Sequence, residues 1–126
     1  MTDSEEVPGR LDVDLTVHLT DSPGGPQYTF RLEARDGTPG PGCTLPDPAA
    51  ALAALERFGA DIFFPKPGPP KLCTQQYGGP QVAVVTGWFL ARRVHTEFRR
   101  TDGCEIARWQ AMAPLLGGIA GSTGAI

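Results

Sequence analysis

The sequence has little of what metal sites, membrane spans and nucleic-acid surfaces require. Its 126 residues include two histidines and three cysteines, with no CxxC or HxxxH pair, so no metal site is expected. No apolar run approaches the roughly 18 residues of a membrane span. The formal net charge is -3, which argues against a basic face for nucleic acid. We therefore expect neither a membrane nor a nucleic-acid partner.

Catalytic motifs are also missing. The sequence has no P-loop, GxGxxG or GxSxG in a suitable context, and its carboxylates are scattered. His95 and Glu97 share one strand face, but no nucleophile is placed beside them. We predict no catalytic residue and no cofactor. The arginine pairs Arg92-Arg93 and Arg99-Arg100 are interpreted as the solvated face of a strand.

Glycine and proline are plentiful and concentrate in two places. Together they make 29 of 126 residues, mostly within 36–48 and 65–70, which indicates two ordered loops. The length fits one domain, which we place at 11–116, between a flexible arm at 1–10 and a flexible Gly-rich tail at 117–126. Met1 to Arg10 lacks a signal-peptide segment, so we expect either a mature secreted domain or, alternatively, a cytoplasmic protein.

Hydrophobic alternation predicts four strands. They are Leu11 to Thr20, a segment containing Tyr28, Phe30 and Leu32, Gln81 to Leu90, and Arg92 to Arg100. The turn signal at 21–26 predicts that the first two form an antiparallel hairpin. Leu90-Ala91 is predicted to be a second hairpin turn, although neither residue favours one.

Two helices are predicted from caps and apolar stripes. Asp47 is a suitable N-cap, with Pro48 at the first helical position and Gly59 at the end. The expected core stripe of this helix is Leu52, Leu55 and Phe58.

The second helix begins at Asp102, with Glu105 at capping-box spacing. Its apolar stripe is Ile106, Trp109 and Met112, and Pro114 ends it. Leu115 to Ile126 is expected to carry few constraints.

Two cysteines bracket a short polar segment that has neither helical nor strand periodicity. Cys73 and Cys104 have 30 residues between them, and we predict that they are bonded, which leaves Cys43 unpaired. Closing such a loop stabilises a fold by about 3–4 kcal/mol. The bond would either be an ordinary structural disulfide or hold an exposed loop, with Gln75-Gln76 at its tip, ready for a partner.

Several motifs together resemble the Streptomyces subtilisin inhibitor family. The motifs that carry the resemblance are Pro46-Asp47-Pro48-Ala49-Ala50-Ala51, Cys73-Thr74-Gln75-Gln76-Tyr77-Gly78-Gly79-Pro80, Gly87-Trp88-Phe89, Asp102-Gly103-Cys104-Glu105 and Arg108-Trp109. The match runs from about Leu11 to Leu116. It implies an α+β fold, in which an antiparallel sheet of about five strands carries two helices.

The resemblance also implies a function. Family members are secreted by actinobacteria, usually form homodimers through the sheet, and inhibit subtilisin-like serine proteases as substrate mimics. The bond that would be cleaved maps to Gln75–Gln76, and Gln75 would fill the primary specificity pocket. Thr74, Cys73 and Leu72 would occupy the preceding subsites, with Tyr77 on the leaving side.

The chain departs from the family pattern in three respects. The second disulfide of the family maps to Ala34 and Leu52, so it is absent. The family's Gly-x-Trp-x-Gly corresponds to Gly87-Trp88-Phe89-Leu90-Ala91, and moving the tryptophan by one place turns it to the opposite sheet face. Gln75 lacks the charge that a trypsin-like pocket requires. These departures leave two alternatives open: a repurposed small-molecule or protein binding module, or an enzyme with a pocket between sheet and helices.

Overall fold

The computed structural model describes residues 12–69 and 72–116, and its centre is one antiparallel sheet. The five strands are β1 (Val13–Thr20), β2 (Gln27–Arg35), β3 (Thr38–Pro39), β4 (Val82–Phe89) and β5 (Arg92–Phe98). Their order across the sheet is β3-β2-β1-β4-β5, so β1 lies in the middle. With helices packed on the sheet, this is the predicted α+β class. The arm and tail predicted at 1–10 and 117–126 lie outside the described residues.

The alternating apolar residues of β1 are buried on one face of the sheet, as predicted. Val13, Leu15, Val17 and Leu19 are each at most 5% exposed, whereas the polar residues between them lie on the outer face. Val17 pairs with Phe30 on one side and Val85 on the other. The predicted hairpin of β1 and β2 is confirmed.

The turn between β4 and β5 is also where it was predicted. Leu90 and Ala91 both have left-handed backbone, with φ of 52° and 68°. In a two-residue hairpin turn, such angles match the twist of the two flanking strands, although Asn and Gly adopt them at a lower energetic cost than Leu and Ala.

The first helical segment runs further than expected. Asp47 caps it, its Oδ1 accepting from the Ala50 N–H at 3.0 Å. Helix α1 (Pro48–Ala54) continues through a π-helical turn at Leu55–Gly59 into α2 (Ala60–Phe63), so the predicted end at Gly59 is wrong.

The π turn also changes which side chains of this segment face the core. Leu55 is buried as predicted, but Leu52 is half-buried and Phe58 is 36% exposed. Ala51 and Ala54 are buried with Leu55 at ordinary i, i+3, i+4 spacing, and beyond them the extra residue in the π turn shifts the helical phase, so that Gly59 and not Phe58 is buried.

Helix α3 (Gly103–Ala111) begins and packs as predicted. Asp102 Oδ1 accepts from the Glu105 N–H at 2.9 Å, and Ile106, Trp109 and Met112 are buried.

The chain after α3 is more constrained than predicted. Leu115 and Leu116 are 0% exposed and complete the core, so the expectation of few constraints from Leu115 onwards is wrong at these two positions. No helix within the described ranges is both long and apolar enough to cross a membrane.

Candidate functional site

The six residues singled out from the sequence form one exposed segment. All side chains from Leu72 to Tyr77 are exposed, and the segment belongs to no helix or strand. Leu72 is fully exposed and Tyr77 is 66% exposed, although both are large and apolar enough to be expected in a core. None of the six side chains carries a charge. The segment, which we call the exposed loop (72–77), therefore presents uncharged side chains to solvent.

Three connections tie the exposed loop to the body of the protein. Cys73 is bonded to Cys104, with the two Cα atoms 5.3 Å apart, as predicted. The carbonyl oxygen of Thr74 accepts from the Gly103 N–H at 2.9 Å. The connection on the far side runs from the Gly78 N–H to the carbonyl oxygen of Arg100 at 2.7 Å.

These connections all reach the stretch that joins β5 to the first turn of α3. Arg100, Gly103 and Cys104 lie within five consecutive residues, so one segment of the body holds both halves of the exposed loop. Gln75 and Gln76 lie between the connections, and within residues 12–69 and 72–116 their side chains form no hydrogen bond. The peptide bond between them is therefore presented to solvent and held from both sides.

The helix start brings Gly103 into close contact with the loop. The Asp102 side chain caps α3, which fixes the next residues in the first turn. A Cβ atom at Gly103 would collide with the hydroxyl of Thr74. The glycine therefore permits the close approach that forms the hydrogen bond to the Thr74 carbonyl.

The same stretch contains a residue, Arg100, whose burial was not predicted from the sequence. Arg100 was assigned to a solvated strand face, but it is only 6% exposed. Arg92, Arg93 and Arg99 are exposed, as predicted. A usable signal existed, because the alternation that places Val94 and Phe98 inward also places Arg100 inward.

Two groups of side chains could in principle bind a metal or act as a catalytic pair. The sulfur atoms of Cys73 and Cys104 and a carboxylate oxygen of Asp102 lie within 4.8 Å of one another. Metal binding requires thiolates, and these two sulfurs are joined to each other instead. On β5, the carboxylate of Glu97 accepts two hydrogen bonds from Arg99, at 3.1 and 3.0 Å, rather than orienting His95.

The outer face of the sheet carries a mixed polar and aromatic surface. Trp88 is 47% exposed there, and the Arg93 guanidinium lies 5.8 Å from its ring centroid. Arg31 bridges Asp14 at 2.8 Å and Glu33 at 3.1 Å. Burial opposes the charge of Arg31, but the hydrogen bonds and charges of Glu33 and Asp14 outweigh it and raise the pKa of Arg31. We call these five residues the outer sheet patch.

A groove of about 520 Å³ lies at the end of the sheet beside the first helical segment. Ala34 and Leu52, the positions matched to the missing second disulfide, both line it. Its deeper walls, Val13, Leu55 and Phe89, are each at most 6% exposed. Leu90, which also lines the groove, is 60% exposed, and Asp12 and Glu56 are the charged residues of the lining.

Cys43 is free and half-buried, as predicted for the unpaired cysteine. Its sulfur contacts the backbone N–H and carbonyl of Glu33, at 3.3 and 3.2 Å.

Comparison with known proteins adds no relative: no protein-family model and no curated protein matches the chain.

Proposed function

We propose that the protein inhibits a subtilisin-like serine protease as a substrate mimic, with Gln75–Gln76 as the scissile bond. The observation that carries the proposal is the exposed loop, which is held on both sides of that bond by one segment of the body. The resemblance of its motifs to subtilisin inhibitors supports the same function.

Rigidity explains how an exposed peptide would inhibit rather than be digested. A loop already held in its bound shape loses little conformational entropy on binding, which favours affinity. After cleavage, the same connections would keep the two new ends close together. Resynthesis of the bond would then compete with release of the ends.

The side chains of the loop define the kind of protease that fits. Gln75 is polar and uncharged, which suits a broad primary pocket better than one containing a carboxylate. Leu72 offers an apolar side chain to a more distant subsite on the same side, and Tyr77 contributes an aromatic ring on the leaving side. We therefore propose a target with an unselective, partly apolar binding cleft.

Location and assembly form part of the proposal. An exposed disulfide is typical of oxidising compartments, which favours secretion over the cytoplasm. For the homodimer, we propose the outer sheet patch as the contact surface, because Trp88 offers a large exposed ring among charged neighbours.

The alternative of a binding module or enzyme would depend on the groove beside the first helical segment. Apart from Asp12 and Glu56, the lining of this groove is uncharged and mostly apolar, so it offers few polar groups to fix the orientation of a ligand or substrate. We therefore prefer the inhibitor hypothesis.

Titration of subtilisin with the non-reduced protein tests the proposal. We expect stoichiometric inhibition, with slow cleavage at Gln75–Gln76 detected by mass spectrometry. The Cys73→Ser, Cys104→Ser double variant is the matched control and should be cleaved quickly. Rapid digestion of the unmodified protein, or no inhibition at a large excess, would contradict the inhibitor hypothesis.

A further inference from the structure

Two polar side chains are buried among the described residues, and they contact each other. Gln81 is 8% exposed and Arg100 is 6% exposed. Arg100 Nη1 donates to Gln81 Oε1 at 3.2 Å, and the guanidinium lies 5.9 Å from the centroid of the Trp109 ring. Burying a guanidinium carries a large desolvation cost. Such a pair therefore points to a specific role at this position.

The pair packs directly against the chain that follows the exposed loop. Gly79 has a φ of 142°, which favours glycine, and a Cβ there would collide with Gln81 Oε1. The same Cβ would lie 3.4 Å from Arg100 Nη1. The Gly78 N–H donates to the Arg100 carbonyl at 2.7 Å, so Arg100 holds this stretch through its backbone, while its side chain and that of Gln81 pack beside Gly79.

We propose that Arg100 and Gln81 are positioning residues that hold the leaving segment, Gln76 to Gly79, in place after the Gln75–Gln76 bond is cleaved. This inference rests on the proposed inhibitory function. Its basis is that the disulfide and the Gly103 hydrogen bond hold the chain before the bond, whereas the Arg100 carbonyl binds Gly78 after it and the Arg100–Gln81 pair packs beside Gly79.

The chemistry explains why the position of the leaving segment matters. The protease serine oxygen attacks the carbonyl carbon of Gln75, the C–N bond breaks, and the amine of Gln76 leaves with a proton from the protease. In resynthesis that amine attacks the ester carbon, returns its proton, and expels the serine hydroxyl. Water attacking the same ester instead gives the Gln75 carboxylate. Holding the amine near the ester favours resynthesis over water.

The ratio of intact to nicked inhibitor tests the role. Arg100→Met and Gln81→Leu are incubated with a catalytic amount of subtilisin, starting from the intact and from the nicked form. We expect the ratio, measured by mass spectrometry, to move toward the nicked form by about tenfold, as losing one charged hydrogen bond predicts. Arg100→Lys keeps a donor and should recover part of the loss.

Arg99→Met is the matched control. Arg99 is the exposed neighbour of Arg100 and pairs with Glu97, away from the leaving segment. The ratio of intact to nicked inhibitor should therefore be the same in Arg99→Met as in the unmodified protein.

Amide hydrogen exchange at Gly78 provides a readout that needs no protease. We expect exchange to be about tenfold faster in Arg100→Met and Gln81→Leu than in Arg99→Met, at matched global stability. A folded variant with unchanged Gly78 exchange and an unchanged ratio would overturn the proposal. If Arg100→Met does not fold, Gln81→Leu decides alone.

The two readouts separate failure of this inference from failure of the proposed function. If the unmodified protein does not inhibit, inhibition and the resynthesis role are both overturned. Faster Gly78 exchange in the variants would in that case still support the pair as a clamp on this segment.

Discussion

Removal of the Cys73–Cys104 disulfide should destabilise the fold strongly. The bond joins residues with a sequence separation of 31. For a closed loop of that size, the chain-entropy relation takes about 12 cal/mol/K from the unfolded state, or about 3.7 kcal/mol at 25 °C. At about 4 °C per kcal/mol for a domain of roughly 100 residues, the melting temperature should fall by about 15 °C.

The folded state should survive this change. The body is held by the core around Trp109 and by the sheet, and neither depends on the disulfide. Two backbone hydrogen bonds, from Gly103 to Thr74 and from Gly78 to Arg100, would still hold the exposed loop. The loss should therefore appear as a lower free energy of unfolding and faster cleavage of the loop.

Urea denaturation of the Cys73→Ser, Cys104→Ser double variant against the oxidised protein measures the change. Cys43→Ser is the control, since Cys43 is free and a serine hydroxyl can keep its hydrogen bond to the Glu33 carbonyl. We expect the free energy of unfolding of Cys43→Ser to fall by less than about 1 kcal/mol.

A loss below about 1 kcal/mol in the double variant would refute the chain-entropy argument for this bond. An equal loss in Cys43→Ser would show that replacing sulfur, and not removing the link, causes the effect.

Four further substitutions test the loop and the local structure. Gln75→Lys should shift inhibition toward trypsin-like proteases in inhibition titrations, whereas Gln110→Lys, at an exposed helical position, should not; an unchanged, inert Gln75→Lys protein would count against a reactive loop. Asp102→Ala should lose about 1 kcal/mol of stability in urea denaturation, because it removes the helix cap. Leu115→Ala should lose about 2–5 kcal/mol in the same assay, since Leu115 is 0% exposed. Ala91→Gly should gain up to about 1 kcal/mol, because Ala91 has a φ of 68°, and a lower stability would contradict this explanation of the turn.

The fold could be predicted well where neighbouring residues determine it. The alternation in β1, the turn at Leu90-Ala91 and the caps at Asp47 and Asp102 all reflect contacts within a few residues. The prediction failed at Gly59, where the helix continues through a π turn. Leu55 at the start of that turn and Phe63 beyond it are both buried, and no local signal in the sequence indicates that the helix continues between them.

The candidate site was predicted only in part. The sequence indicated the exposed loop and its disulfide, because the two bracketing cysteines and the lack of periodicity between them can be recognised from the amino-acid sequence alone. It did not indicate Gln81, since a lone glutamine before a strand has no pattern that predicts burial. Arg100 was misassigned because paired arginines are usually solvated, although strand alternation pointed inward.

The sequence by itself determined the strand periods and the helix starts, because each depends on short-range geometry. Only the tertiary structure decided that one segment, from the end of β5 into the first turn of α3, holds both halves of the exposed loop, and that Arg100 is buried beside Gly79. It also decided that Leu115 and Leu116 close the core. Such contacts join residues far apart in the chain, and they form only where packing and burial outweigh the entropy lost in bringing them together.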